Sequence, residues 1–204
     1  MTNGSRLEPY ANFLRNFRNN AIENTTAGRE FLLTFNSWYY SWAPSLSYSA
    51  ANNPVLFKTL QVGVVPLIGI FYASYYAYNL MAPLSTEVAA ITAGIVAASL
   101  IGAVYIAPGA YVVTRLIGRR RRLWISKQIT TSSAAMFGAS TLVCVTAYLT
   151  GSGQLLAVAT SSMVLAMLSL GAFGGIKVLT YMQMPVTNFA TMTLTLKRFA
   201  KAQL

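Results

Sequence analysis

Residues Arg115 to Lys127 read RLIGRRRRLWISK. Arg119, Arg120, Arg121 and Arg122 stand there between two stretches too long and too apolar for a water-soluble domain. Val88 to Ile117 holds one charge, Arg115 near its end, and Gln128 to Leu149 holds none. A guanidinium is costly at the bilayer centre and four in a row resist translocation, so the run marks a cytoplasmic loop between two membrane spans.

Composition agrees. Hydrophobic residues make up 55% of the 204 residues and charged residues 9%, against roughly 25% charged in ordinary soluble domains. Lys and Arg number 15 against 4 acids, and they gather at the ends of apolar stretches. There they meet anionic lipid head groups at about 1 kcal/mol each. This placement, together with the lack of a binding motif, argues against nucleic acid as a partner.

A 30 Å hydrocarbon core needs about 20 apolar residues per helix, and four such runs exist: Val62–Met81, Val88–Ala107, Gln128–Leu149 and Leu155–Leu179. The expected fold is all-α, an integral membrane bundle of four transmembrane helices with amphipathic N-terminal and C-terminal segments. Residues 1–60 form an interfacial aromatic segment, 61–184 the transmembrane domain and 185–204 a basic amphipathic tail. Ser85 or Thr86 with Glu87 reads as the start of the second span, and Gly151, Ser152 and Gly153 as the turn before the fourth. The second span can continue past Pro108 and Gly109 as a kinked cytoplasmic extension. Arg15, Arg18, Arg29 and Lys58 precede the first span, and Lys197, Arg198 and Lys201 follow the last. An even number of spans then places both termini in the cytoplasm of a multi-pass cell-membrane protein. The N-terminal charges are not expected to belong to a signal peptide, because the first long apolar run begins some sixty residues in.

Within the N-terminal segment, Tyr10, Phe13, Leu14, Phe17 and Ile22 share one face of a helix over Glu8–Glu23, a pattern that suits a helix on the membrane surface. Phe31, Phe35, Trp38, Tyr39, Tyr40 and Trp42 carry rings with polar tips suited either to the head-group level or to packing under the bundle. Pro44 is expected to end or bend this stretch and Pro185 to end the fourth span.

These residues also carry a resemblance. Gly4, Ser5, Leu7 and Pro9, then Leu14, Arg15, Phe17 and Arg18, then Thr26, Ala27, Gly28, Arg29 and Phe31, then Tyr39, Tyr40, Ser41 and Pro44, and finally Pro66 and Leu67 resemble the spine of the CFI-box family over about the first third of the chain. The Cys-Phe-Ile triplet that names the family does not occur, so the chemistry of that cysteine is not expected. Phe35 and Asn36 ahead of the tyrosine pair resemble the form found in ammonia-oxidising archaea. A small four-span, histidine-free protein of that kind is similar to an accessory subunit of the membrane ammonia monooxygenase. The resemblance therefore implies other membrane subunits as partners, and no reaction.

Chemistry by the chain alone is poorly provided for. It has no His and no Asp, and its acids are Glu8, Glu23, Glu30 and Glu87, none inside an expected span. That leaves no common general base, no imidazole ligand for haem, copper or zinc, and no carboxylate relay at the bilayer centre. Glu30 and Glu87 read as surface groups. No enzyme and no cofactor is expected. Met163 and Met167, one turn apart, with Cys144 on the neighbouring span, read as packing, with a soft Cu(I) site as the alternative. Lys177 reads as snorkelling to the interface. Ala90, Gly94, Ala98 and Gly102, and Gly171 with Gly175, form small-residue stripes that let helix backbones approach closely in lipid, against another helix of this chain or another subunit. The expected function is a non-catalytic accessory or structural subunit touching membrane partners and anionic lipids, with Trp38, Tyr39, Tyr40, Trp42 and Arg119 to Arg122 as contact residues. The alternative is a stand-alone small transporter or channel, hinted at by Pro66 and Pro108 as points of unwinding.

Overall fold

A computed structural model describes the backbone of residues 8–116 and 119–201, and the side chains of these residues except Trp38, 114–126 and 183–201. Among the described residues every regular element is helical. α1 (Glu8–Phe17) runs through a π turn at Arg18–Ile22 and a short corner into α2 (Thr26–Ala51). α3 (Pro54–Met81) and α4 (Thr86–Ile101) follow; α4 passes through a second π turn, Gly102–Ile106, into α5 (Ala107–Leu116). α6 (Arg119–Thr150) and α7 (Gly153–Lys201) complete the chain. Four segments are long and apolar enough to cross a membrane: Pro54–Met81, Thr86–Val113, Lys127–Thr150 and Gly153–Met182.

The helix ends follow local chemistry. Asn53 caps α3 by accepting the Val55 and Leu56 amides at 3.0 and 3.1 Å, with Pro54 at the first helical position, where its missing N–H costs nothing. α6 stops at Gly151, whose φ of +68° lets Ser152 donate back to the Ala147 carbonyl (3.1 Å) and Gly151 to that of Tyr148 (3.3 Å). These two reversed bonds satisfy carbonyls the helix would otherwise orphan. The prolines act less sharply than expected. Helix continues through Pro44 in α2, Pro66 in α3 and Pro185 in α7, so neither Pro44 nor Pro185 ends its helix. At Pro108 the preceding π turn, closed by the Ala107 amide on the Gly102 carbonyl, shifts the hydrogen-bond register just where proline has no N–H to give.

The small-residue stripes are resolved into one internal crossing and one open position. A side chain on Gly102 would strike the Leu168 carbonyl, one on Gly171 the Ser99 backbone, and one on Gly175 Ala107 and the Ala103 carbonyl. The second span and α7 therefore touch backbone to backbone, with Ala90 and Ala98 buried. Gly94 faces open space; Ala93, one residue earlier, takes the buried position against Phe17 and Ala21. Farther down the pair, the Tyr105 hydroxyl donates to the Gly63 carbonyl and ties α3 to the second π turn.

α2 departs most from the sequence reading. Its first residues meet Glu87, at the start of α4, while only two residues separate its end from Pro54, at the far end of α3. At 1.5 Å per residue the 26 residues of α2 reach about 39 Å and the 28 of α3 about 42 Å. α2 therefore runs the length of the bundle beside α7, α3 and α4. α1 is left at the end that carries the 82–85 and 151–152 turns, opposite the end where α5 stops and α6 starts. Arg119 to Arg122 open α6; their side chains, like those of Trp38 and the tail after residue 182, lie outside the described residues.

Candidate functional site

One carboxylate and a threonine knit the helix ends where α1, α2 and α4 converge beside the start of α7. Thr25 precedes α2 in extended conformation, almost fully buried; its hydroxyl donates to the Ile22 carbonyl (2.8 Å) and accepts the Gly28 amide (3.1 Å). Gly28 is required, because any side chain would collide with that same Ile22 carbonyl. A local capping box would need Glu or Gln where Gly28 stands. The carboxylate comes instead from Glu87, sixty residues away, whose Oε1 accepts the Thr26 amide at 2.6 Å and Oε2 the Ala27 amide at 3.1 Å. With the Thr25 amide on the Ile22 carbonyl (3.1 Å), all four amides that a helix start leaves unpaired are satisfied.

Glu87 also sits in the first turn of its own helix, where Ser85 makes no side-chain cap. One negative charge thus faces the positive ends of two helix dipoles. Glu30 lies beside another helix start: its carboxylate rests 3.3 Å from where a side chain on Gly153, the first residue of α7, would begin. Glu87, read from the sequence as a surface group, ties α4 to α2, and Glu30, read likewise, is half-buried against the first residue of α7. The spacing of Thr25, Gly28 and Arg29 carried the signal of a helix start, but nothing in one chain's order pairs residue 26 with residue 87.

An aromatic clasp holds α1 against the same end. Phe13 stacks on Tyr72 (centroids 4.2 Å apart, planes 4°) and meets Tyr75 edge-on at 5.2 Å; Phe17 meets Tyr75 and Tyr78 edge-on at 5.5 and 5.8 Å. The apolar face of α1 is thus spent on α3 and Ala93 of α4, while Tyr10 stays exposed.

The outward face of α2 carries a ladder of rings. Phe31, Phe35, Tyr39 and Trp42 follow one another at 5.4–6.0 Å, with Tyr40 edge-on to Tyr39. Tyr40 is 64% and Tyr48 75% exposed. Tyr39, Tyr40 and Trp42 lie about 20–24 Å along α2 from Thr26, near mid-height of the bundle. Between them, Thr34, Ser37 and Ser49 turn their hydroxyls back onto carbonyls one turn earlier.

The remaining candidates separate. Cys144 is buried with Ala27, Ala147, Leu156 and Ala159, a cluster without a methionine, and Met163 is buried farther along α7. Lys177 lies exposed on the outer surface of α7, about 36 Å along it from Gly153. Among the described residues no three His, Cys, Asp or Glu side chains converge. Comparison with family models, curated proteins and solved structures finds no match for this chain.

Proposed function

We propose that this chain is a non-catalytic subunit of a larger membrane complex and that the outward face of α2 is where a partner subunit packs. One observation carries the reading. Residues 31–51 form an uncharged helix of bilayer length, yet ten of the twenty-one carry a hydroxyl or amide: Thr34, Asn36, Ser37, Tyr39, Tyr40, Ser41, Ser45, Ser47, Tyr48 and Ser49. This helix is not among the four apolar enough to cross a membrane by themselves. Lipid tails offer a tyrosine hydroxyl or an asparagine amide no partner, whereas a neighbouring protein helix does. Large rings on such a face supply contact energy when a partner buries them.

The resemblance to the archaeal CFI-box form agrees with this placement. Thr26, Ala27, Gly28 and Arg29 build the joint, and Tyr39 and Tyr40 lie on the outward face. The complex proposed is the archaeal membrane ammonia monooxygenase.

Orientation is part of the proposal. The arginine run, with Lys58, Arg115 and Lys127 at the same end of the bundle, belongs in the cytoplasm. Counting α2 as a fifth crossing puts α1 on the opposite side, which revises the expectation of two cytoplasmic termini; that expectation counted four crossings. Purification from native membrane in mild detergent tests the function. The wild-type chain should comigrate with larger subunits, and Tyr40→Ala with Tyr48→Ala should release it while leaving insertion intact. A lone monomer that moves a solute across reconstituted vesicles refutes the subunit reading in favour of a transporter.

A further inference from the structure

Positive charge is normally withheld from the non-cytoplasmic end of a membrane bundle, yet Arg15, Arg18 and Arg29 stand there. Arg15 bonds Asn12 on its own helix. Arg18, on the first π turn, and Arg29, in the first turn of α2, open instead onto one cleft of about 150 Å³ that Glu23, Leu33, Asn36 and Tyr40 also line. Arg18 uses its Nε on Asn19 (3.0 Å), which leaves its two terminal nitrogens available; the Arg29 guanidinium has no protein acceptor among the described residues. The cleft thus offers a forked pair of donors, a geometry that suits the oxygens of a phosphate.

Depth identifies the source of the phosphate. A bundle about 42 Å long extends roughly 6 Å beyond each side of a 30 Å hydrocarbon core. Arg29, one turn below the joint, is therefore at the hydrocarbon boundary. Leu32 and Leu33 line the same cleft one turn nearer the bilayer centre, beside the path an acyl or isoprenoid chain leaving the phosphate would take. Glu23 at the rim is an acceptor for the hydroxyl or ammonium of a head group, and with two arginines it leaves the cleft one net positive charge, matching a phosphodiester.

We propose that this cleft binds the phosphodiester head group of a membrane lipid in the leaflet opposite the arginine run, with Arg18 and Arg29 on the phosphate. The leaflet assignment rests on α2 crossing the membrane. The full chain, purified in non-ionic detergent, is titrated with dioctanoyl phosphatidylglycerol, with dioctanoylglycerol lacking phosphate, and with inorganic phosphate, and bound species are read by native mass spectrometry. One phosphatidylglycerol should bind, and Arg18→Gln with Arg29→Gln should weaken it roughly tenfold per guanidinium removed. Arg15→Gln should leave binding unchanged, and the double lysine variant should recover part of it, which separates charge loss from misfolding. Equal retention by wild type and the double glutamine variant overturns the site. Binding of dioctanoylglycerol as tight as that of phosphatidylglycerol overturns the phosphate contact, and equally tight inorganic phosphate overturns the lipid as ligand. Separately, Asn16→Cys in a Cys144→Ala background should react with an impermeant thiol reagent from outside intact cells. Reaction only from the cytoplasmic side overturns the crossing while the titration still reports on the site.

Discussion

Glu87→Ala removes the carboxylate that joins α4 to α2, and its cost follows from what is left behind. Two backbone amides lose an ionised acceptor, and such bonds contribute about 1.5–3 kcal/mol each; the dipole interaction adds about 0.3–1 kcal/mol. Thr26 is exposed and can find water, so its bond counts for less, whereas Ala27 is 3% exposed and its amide would stay dry. The sum is about 2–4 kcal/mol, roughly 30- to 900-fold in the unfolding equilibrium. Glu87→Gln keeps one carbonyl acceptor without charge and should lose about half of that. Unfolding of the purified chain by SDS in mixed micelles, followed by near-UV dichroism, measures the change, with Ser85→Ala as a control expected within about 0.5 kcal/mol of wild type. Hydrogen exchange should speed up first at the Thr26 and Ala27 amides. The reasoning fails if Glu87→Ala is no less stable than Ser85→Ala, or if those two amides keep their protection.

Gly102→Leu and Gly171→Leu should each push α7 off the second span and abolish or strongly destabilise the fold in the same titration, whereas Gly94→Leu, which meets open space, should stay within about 0.5 kcal/mol of wild type; equal effects would undo the assignment of the crossing. Phe17→Ala deletes a ring 8% exposed between Tyr75 and Tyr78, a loss of about 3–5 kcal/mol for buried phenylalanine. Limited proteolysis in the corner between α1 and α2 should then accelerate at least tenfold, and an unchanged digestion pattern would show that the clasp does not hold α1. The purified chain should carry no stoichiometric haem, iron or copper by metal analysis and absorption; tight copper lost on Cys144→Ala or Met163→Leu would reverse the packing assignment of those sulfurs.

What the sequence determined by itself was everything that depends on one segment meeting its solvent. Long uncharged runs require lipid, Arg119 to Arg122 mark a boundary that lipid penalises, and Gly151 ends a helix through contacts within five residues. The small stripes were legible as close-packing surfaces for the same reason, since only small residues permit backbone contact in lipid. The tertiary structure decided what depends on which segments meet. That Gly102 pairs with Gly171 while Gly94 has no neighbour is a matter of crossing angle, which periodicity does not contain. That Glu87 caps α2 follows from a fold bringing together residues sixty apart, and a carboxylate's sequence neighbours say nothing of the amides it will reach. α2 was the largest difference: its serines and tyrosines lower its hydropathy below that of a lipid-facing span, so the sequence suggested a surface segment. Only the joint at one end and the two-residue link to α3 at the other show that it runs the full height of the bundle, because a helix's place is set by the contacts at its two ends, which hydropathy does not record.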